Sequence, residues 1–242
     1  MNKSDGEIAA LIADLDHADK RKIRVAADTL LFLAAQSAEL RAALAGLLLD
    51  PSRKNQWAVA YVLGQLPRPN GKVIEALLQS LDHPSPDIRW AIGLLLVRIA
   101  KREKDLISRF VELCHTGNPA QKRMALYCLR DLHLDGAESV IPLLNALKDP
   151  DPTVRVAAAI SLKARPDMDE AGRAALVQCF LDDPDLRVRN AAAVTLAHLG
   201  LPSEKFIAAL EKANASDDAR LKKVAAAALA TLKNKRSAPS GS

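Results

Sequence analysis

Apolar residues recur along the chain every 33 positions or so, and each recurrence has the same internal order. An anchor residue, usually basic, is followed by an apolar residue three positions later and by a leucine seven positions later. The anchors are Arg24, Gln56, Arg89, Lys122, Arg155, Arg189 and Lys222, and the leucines are Leu31, Leu63, Leu96, Leu129, Leu162, Leu196 and Leu229. Ten positions after the anchor, six of the seven residues are apolar, and Arg165 is the exception. Because these offsets share one face of an α-helix, the pattern predicts one buried helix per copy.

Each copy also carries an earlier apolar segment, for example Val73–Leu81 and Ala174–Leu181. A turn rich in aspartate and proline separates the two segments, as in Asp149–Pro152. Proline suits the first turn of a helix, and aspartate or asparagine before it can cap the exposed amides. We therefore predict a unit of helix A, a short turn and helix B. One such pair cannot bury its own apolar faces, so the units are expected to stack.

Composition supports an all-α class. The chain has 242 residues, of which 43 are alanine and 38 are leucine, both strong helix formers. Only eight residues are aromatic, which is poor material for a β-sheet. No apolar run reaches the roughly 18–20 residues that a membrane-spanning helix needs, so we expect no membrane insertion.

The turn and the start of helix B carry a family resemblance. Residues 149–162 read Asp-Pro-Asp-Pro-Thr-Val-Arg-Val-Ala-Ala-Ala-Ile-Ser-Leu and resemble the HEAT-like repeat, in the short bacterial form first noted in phycobilin lyases. Residues 82–92 and 183–193 resemble it equally. The resemblance implies a right-handed α-solenoid of about seven helix pairs over residues 1–236, with the B helices on its concave surface. The expected repeats are 6–36, 37–68, 69–102, 103–135, 136–168, 169–201 and 202–235, followed by a disordered tail at 237–242.

The recurrent arginines have a structural interpretation. An aspartate precedes the anchor by six or seven residues at Asp50, Asp82, Asp149 and Asp183. In HEAT-like families such Asp and Arg positions form a ladder between neighbouring units, and the planar guanidinium can bridge several acceptors. The resemblance therefore implies that Arg89, Arg155 and Arg189 pair within the fold rather than bind a ligand.

The side of helix B opposite the buried stripe is the candidate site. All four tryptophan and tyrosine residues of the chain fall there, at offsets 1 and 5 in the second to fourth copies. The candidate partner-binding residues are Trp57, Tyr61, Trp90, Leu94, Arg98, Arg123, Tyr127 and Arg130. Clustered exposed aromatic and arginine side chains are typical of binding hot spots. The alternative is that these rings pack against neighbouring B helices.

A second basic segment lies between the third and fourth copies. Residues 101–104 read Lys-Arg-Glu-Lys, with Arg98 before them and Arg109 after them. One interpretation is a contact to phosphate or to an acidic partner. The other is a solvated connecting loop.

These observations favour a non-enzymatic scaffold. The net charge is +5 with a pI of about 9.2, which is mild for this length, and we find none of the common catalytic or nucleotide-binding motifs. We expect a monomer without cofactor or metal that binds a protein or peptide partner in the concave groove of repeats 2–4, with an acidic partner if the arginines take part. Three cysteines without a CxxC spacing predict buried thiols in a cytoplasmic protein.

Two alternatives stay open. One is nucleic-acid binding, or an activity like that of the HEAT-like alkylpurine DNA glycosylases, although their Trp-x-x-x-Asp arrangement is missing here. Trp57 is followed four positions later by Tyr61, and Trp90 by Leu94. The other is a bilin-lyase-like subunit that holds a tetrapyrrole in the groove, which only the resemblance supports.

Overall fold

A computed structural model describes residues 4–48, 50, 52–134, 136–199 and 204–237. These residues form fourteen α-helices and two short 3₁₀ helices, and no strand occurs among them. The chain divides into two compact units, residues 1–106 and residues 107–242. The predicted all-α solenoid class is confirmed. Of the predicted disordered tail, Ser237 ends the last helix and the remaining residues lie outside the described part.

The first unit contains three helix pairs. Its helices are α1 (Asp5–Asp14), α2 (Lys20–Ala34), α3 (Ala38–Leu47), α4 (Gln56–Gly64), α5 (Gly71–Gln79) and α6 (Pro86–Ala100), with a 3₁₀ turn at Ser80–Asp82. The even-numbered helices are the B helices of the predicted units. Helix α4 packs against both α2 and α6, so that the three B helices lie side by side.

The second unit continues the same alternation. Its helices are α7 (Asp105–Thr116, which begins two residues before the unit boundary), α8 (Pro119–Asp131), α9 (Ala137–Ala146), α10 (Pro152–Ser161), α11 (Glu170–Asp182), α12 (Leu186–Leu199), α13 (Glu204–Asn214) and α14 (Ala219–Ser237). A 3₁₀ turn follows α10 at Leu162–Ala164. Helix α10 packs against α8 and α12, and α12 packs against α14. In the part of the chain that the structure describes, no helix is long and apolar enough to cross a membrane.

The predicted apolar stripe of helix B is the core. All seven residues at offset 3 are buried, from Ala27 in the first copy to Ala225 in the last. The repeated leucine is buried in copies two to six, whereas Leu31 and Leu229 in the end copies are partly exposed. A helix in the middle of a stack is covered from both sides, which explains the difference.

Turn chemistry starts the B helices where the sequence predicts. Proline occupies the first turn of α6, α8 and α10. The Asn118 side chain accepts hydrogen bonds from two amides of α8, and Asp151 accepts one from the Thr153 amide at the start of α10. These caps satisfy amides that have no partner inside the helix.

The predicted Asp–Arg ladder between neighbouring helix pairs is confirmed at Arg155. Its guanidinium makes a two-pronged contact with the Asp183 carboxylate, at 2.7 and 3.0 Å, and also donates to the Asp149 carbonyl. Lys122 reaches Asp149 in the same way, at 2.8 Å. These pairs are largely buried, and each joins the start of one B helix to the turn that precedes the next B helix.

The other two predicted ladder arginines also serve the fold, but through backbone acceptors. Arg89 donates to the carbonyls of His83 and Pro84, and Arg189 donates to the Phe180 carbonyl at 2.8 Å. Each therefore ties the start of a B helix to the turn or helix that precedes it.

Candidate functional site

Helix α4 contacts both α2 and α6 in the first unit. Its outward-facing rings, Trp57 and Tyr61, are half-buried. On the neighbouring helix α6, Trp90 is 41% exposed and Leu94 is 60% exposed. Helix α6 therefore presents large apolar side chains to solvent, whereas the outward-facing rings of α4 are partly covered.

Helix α2, which also packs against α4, exposes two large apolar side chains that are not among the predicted site residues. Val25 is 65% exposed and Phe32 is 61% exposed, and they lie at offsets 1 and 8 of the first copy. The sequence carries a signal for both, because Val25 shares offset 1 with Trp57 and Trp90, and Phe32 lies seven residues further on the same side of the helix. We call the combined set the apolar face, and it consists of Val25, Phe32, Trp57, Tyr61, Trp90 and Leu94.

Trp57 is held by two neighbours. Its Nε1 donates to Asn55 Oδ1 at 3.1 Å, and its ring meets the edge of the His83 ring with 5.7 Å between centroids. Burial lowers the pKa of His83, and the positive charges of Arg89 and Lys20 act in the same direction. A neutral imidazole therefore packs on Trp57 at neutral pH, which fixes the indole orientation.

A lysine side chain joins the beginnings of α2 and α6. Lys20, the first residue of α2, donates to Ser85 Oγ at 2.8 Å and to Asp87 at 3.1 Å, at the start of α6. This bridge crosses the beginning of α4, which lies between the two helices. Beneath it is a cleft of about 330 Å³ that Lys20, Trp57 and His83 help to line.

The predicted arginine of this unit is available to a partner. Arg98 lies two helical turns after Trp90 and one after Leu94, so the three share one side of α6. It is exposed, and no ion pair involves it within the described residues. It places a positive charge near the C-terminal end of the exposed side of α6.

The remaining predicted residues belong to the second unit, on helix α8. Arg123 and Tyr127 are half-buried, and the Arg130 guanidinium lies over the Tyr127 ring, 5.0 Å from its centroid. Arg130 also pairs with Asp131 at 2.7 Å. Offset 5 stays exposed in the following B helices, at Ile160 and Val194. Arg130 is therefore engaged within its own helix, unlike Arg98.

The cysteines are poor nucleophiles. Cys114 and Cys128 are buried and Cys179 is half-buried, and all three are reduced thiols. Burial raises the pKa of Cys114 to about 12 and that of Cys179 to about 11, and it raises the pKa of Cys128 as well. Their thiolate forms are therefore scarce at neutral pH. Among the described residues, no group of three or more His, Cys, Asp or Glu side chains is placed to hold a metal ion.

Comparison with known proteins agrees with the helix pairs. Residues 138–230 match the HEAT repeats family. The structure is similar to that of the Escherichia coli protein YibA, with a TM-score of 0.56, 17% identity, and coverage of 96% of this chain and 93% of that one. No curated protein matches the chain in sequence.

Two further solved structures are similar at lower scores. Human deoxyhypusine hydroxylase in complex with glycerol has a TM-score of 0.44 and 19% identity, covering 96% of this chain and 86% of that one. A designed armadillo repeat protein in complex with the peptide (KR)4 has a TM-score of 0.45 and 17% identity, covering 93% and 99%. Residues 138–230 therefore carry HEAT repeats, and the alternating helix pairs extend the same architecture over the rest of the described chain.

Proposed function

We propose that the protein is a non-enzymatic interaction scaffold that binds a protein or peptide partner on the apolar face of its first unit. The observation that carries the proposal is the exposure of four large apolar side chains on α2 and α6, the two helices that contact α4 and its half-buried aromatic rings. Those side chains are Val25, Phe32, Trp90 and Leu94. Solvent-exposed apolar groups of this size, grouped on one surface, are typical of interaction sites.

The apolar face favours an amphipathic helical segment as the partner. Helices α2 and α6 each present apolar side chains one to two helical turns apart. This spacing complements the apolar stripe of a partner helix that lies between them. Such a partner would place its apolar stripe on Trp57 and Tyr61. A carboxylate near one end of the segment would meet Arg98, which fixes its direction in the groove.

The α8 residues extend the proposal to the second unit. Arg123, Tyr127 and Arg130 present an aromatic ring and two cations on a B helix, with Ile160 and Val194 exposed on the next two. We propose that they contact a partner too. Because Arg130 already pairs with Asp131, its contribution is expected to be smaller than that of Arg98. Free thiols suit the reducing conditions of a cytoplasmic protein.

The test is a selection followed by mutation. Peptides that bind the wild type are selected from a random display library, and their dissociation constants are measured by fluorescence anisotropy. We expect enrichment of apolar residues at helical spacing together with acidic residues. Trp90→Ala should weaken binding by roughly 30-fold, because a central aromatic anchor contributes about 2 kcal/mol or more.

The matched control is Leu181→Ala. Leu181 is also an exposed large apolar residue, 40% accessible, but it lies on α11, an A helix away from the apolar face. Its removal should leave binding unchanged. If the selected peptides bind Trp90→Ala as well as they bind the wild type, or lose affinity only with Leu181→Ala, the apolar face is not the binding site.

A further inference from the structure

A small pocket lies at the C-terminal ends of α4 and α6, within the first unit. Its volume is about 30 Å³. The polar residues that line it come from three separate segments, namely the end of α4, the following loop, and the end of α6 with the residues after it. They are Gln65, Arg68, Arg98, Arg102 and Glu103.

The charges around this pocket are strongly unbalanced. Three guanidinium groups face one carboxylate, that of Glu103. Within the described residues, the side chains of Arg68, Arg98 and Arg102 make no ion pair or hydrogen bond, whereas arginines elsewhere, such as Arg155, pair with a carboxylate. The pocket therefore concentrates about two net positive charges with donor capacity to spare.

A buried donor in the same pocket has no acceptor. The Nε2 atom of Gln65 is inaccessible to solvent and finds no hydrogen-bond partner in the described part of the chain. Leaving a buried donor unsatisfied costs about 1–3 kcal/mol, so buried donors normally have partners. An oxygen atom entering the pocket would supply the missing acceptor.

The loop that carries Arg68 is strained. Arg68 lies between Pro67 and Pro69 and has a φ of 54°, in the left-handed region that residues other than glycine seldom adopt. A residue before proline is further restricted to extended conformations. Such strain is typical of segments that hold a functional side chain in place. Here it brings the Arg68 guanidinium to the pocket that Arg98 and Arg102 also line.

We infer that this pocket binds a phosphate dianion, either inorganic phosphate or the phosphoryl group of a phosphorylated partner residue. A phosphoryl group carries about −1.5 to −2 charges at pH 7, which matches the excess of the lining, and a single carboxylate would leave part of it uncompensated. The planar fork of arginine suits phosphate oxygens. Because the cavity is small, about 30 Å³, only the oxygens of the charged head enter, and the rest of the ligand stays outside.

The site extends the basic segment noticed in the sequence and does not require a partner on the apolar face. Arg98 and Arg102 belong to that segment, whereas Arg68 and Gln65 join them only through the fold. Arg98 is the one residue that this site shares with the proposed protein-binding surface. It is therefore left unchanged in the test.

The test measures phosphate binding by isothermal titration calorimetry at low ionic strength. Wild type should bind inorganic phosphate saturably with one site. Arg102→Gln and Gln65→Leu should each weaken binding by roughly tenfold, because each removes a donor to an oxyanion. The matched control is Lys104→Gln, which removes an exposed cation from the same segment but not from the pocket. It should change the affinity less than about twofold.

The pH dependence and the ligand series separate the sources of the anion. Because the second pKa of a phosphate monoester is about 6, binding should be several-fold weaker at pH 5 than at pH 7.5. A phosphoserine peptide that binds more tightly than inorganic phosphate identifies a protein-bound source, and equal affinity identifies the free ion.

Some results would overturn the site. Equal losses of phosphate affinity in Arg102→Gln and Lys104→Gln would show diffuse electrostatic attraction. The same conclusion would follow if acetate bound as tightly as phosphate, or if a short oligonucleotide did, since each of its phosphodiesters carries a single charge. Circular dichroism melting checks that each variant is folded, and Gln65→Leu keeps the test decisive if Arg102→Gln is not. Trp90→Ala should leave phosphate binding unchanged, so failure here is distinguishable from failure of the proposed scaffold function.

Discussion

At the residue scale, Arg165 shows how a polar side chain can occupy a core position. It is only 5% exposed and stands where the other six copies have an apolar residue. Its guanidinium donates to the carbonyls of Leu134 and Gly136 and pairs with Asp167 at 2.7 and 3.0 Å. Gly136 has a φ of 89°, so the loop before α9 turns where only glycine is unstrained. Arg165 therefore stabilises an irregular loop that an apolar residue could not.

We expect Arg165→Leu to lower the free energy of unfolding by about 2–4 kcal/mol, because it removes the charged donor that two backbone carbonyls share. Urea unfolding followed by circular dichroism measures the change. Arg187→Leu is the control, since Arg187 also pairs with a nearby aspartate but is exposed. Its unfolding should stay close to that of wild type. A smaller loss for Arg165→Leu than for Arg187→Leu would contradict the role assigned to the buried guanidinium.

At the element scale, each B helix has two apolar sides with different roles. On α6, Leu96 is fully buried at offset 7, whereas Leu94, two positions earlier, is 60% exposed at offset 5. The helix thus buries one stripe in the stack and presents another to solvent. A helix used only for packing would carry polar residues on the second side. The two leucines separate stability from surface function within one element.

Leu96→Ala should lower the free energy of unfolding by about 2–5 kcal/mol, because it leaves a cavity in the core. Leu94→Ala should change it by less than about 0.5 kcal/mol, as expected for a surface substitution. Both are measured by urea denaturation of the same preparation series. If the two variants lost similar stability, Leu94 would be part of the core and would no longer belong to the apolar face.

At the scale of the molecule, stability is expected to vary along the stack of helix pairs. In a repeat protein each pair contacts only its neighbours, so a helix covered on one side is held less firmly than one covered on both. Within the first unit, α1 has no buried side chain, whereas α4 buries six of its nine residues. The two helices have nearly the same length, which makes them a matched pair.

Hydrogen exchange measured by mass spectrometry should show this gradient. We expect amides of α1 to exchange at least roughly tenfold faster than amides of α4, because local opening of α1 exposes little apolar surface. Uniform protection across α1 and α4 would mean that the first unit opens only as a whole. In that case the nearest-neighbour description would not apply to it.

Much of the architecture was predictable because it depends on local periodicity. The offsets from each anchor identified the buried stripe, from Ala27 to Ala225, and the Asp-Pro turns identified where B helices begin. A helix turns by about 100° per residue whatever surrounds it, so the face that holds the small residue and the leucine follows from their spacing alone. The HEAT-like resemblance could be read from the same positions.

The sequence by itself thus determined the helix pairs, their buried faces and a candidate outward face. Only the tertiary structure decided which side chains meet across pairs. Lys20 reaches Asp87, 67 positions away, and Arg165 reaches Leu134, 31 positions away. Arg68 likewise joins Arg102 around one pocket. Such meetings depend on how neighbouring helices rotate and on how their loops turn, and a periodic pattern specifies neither.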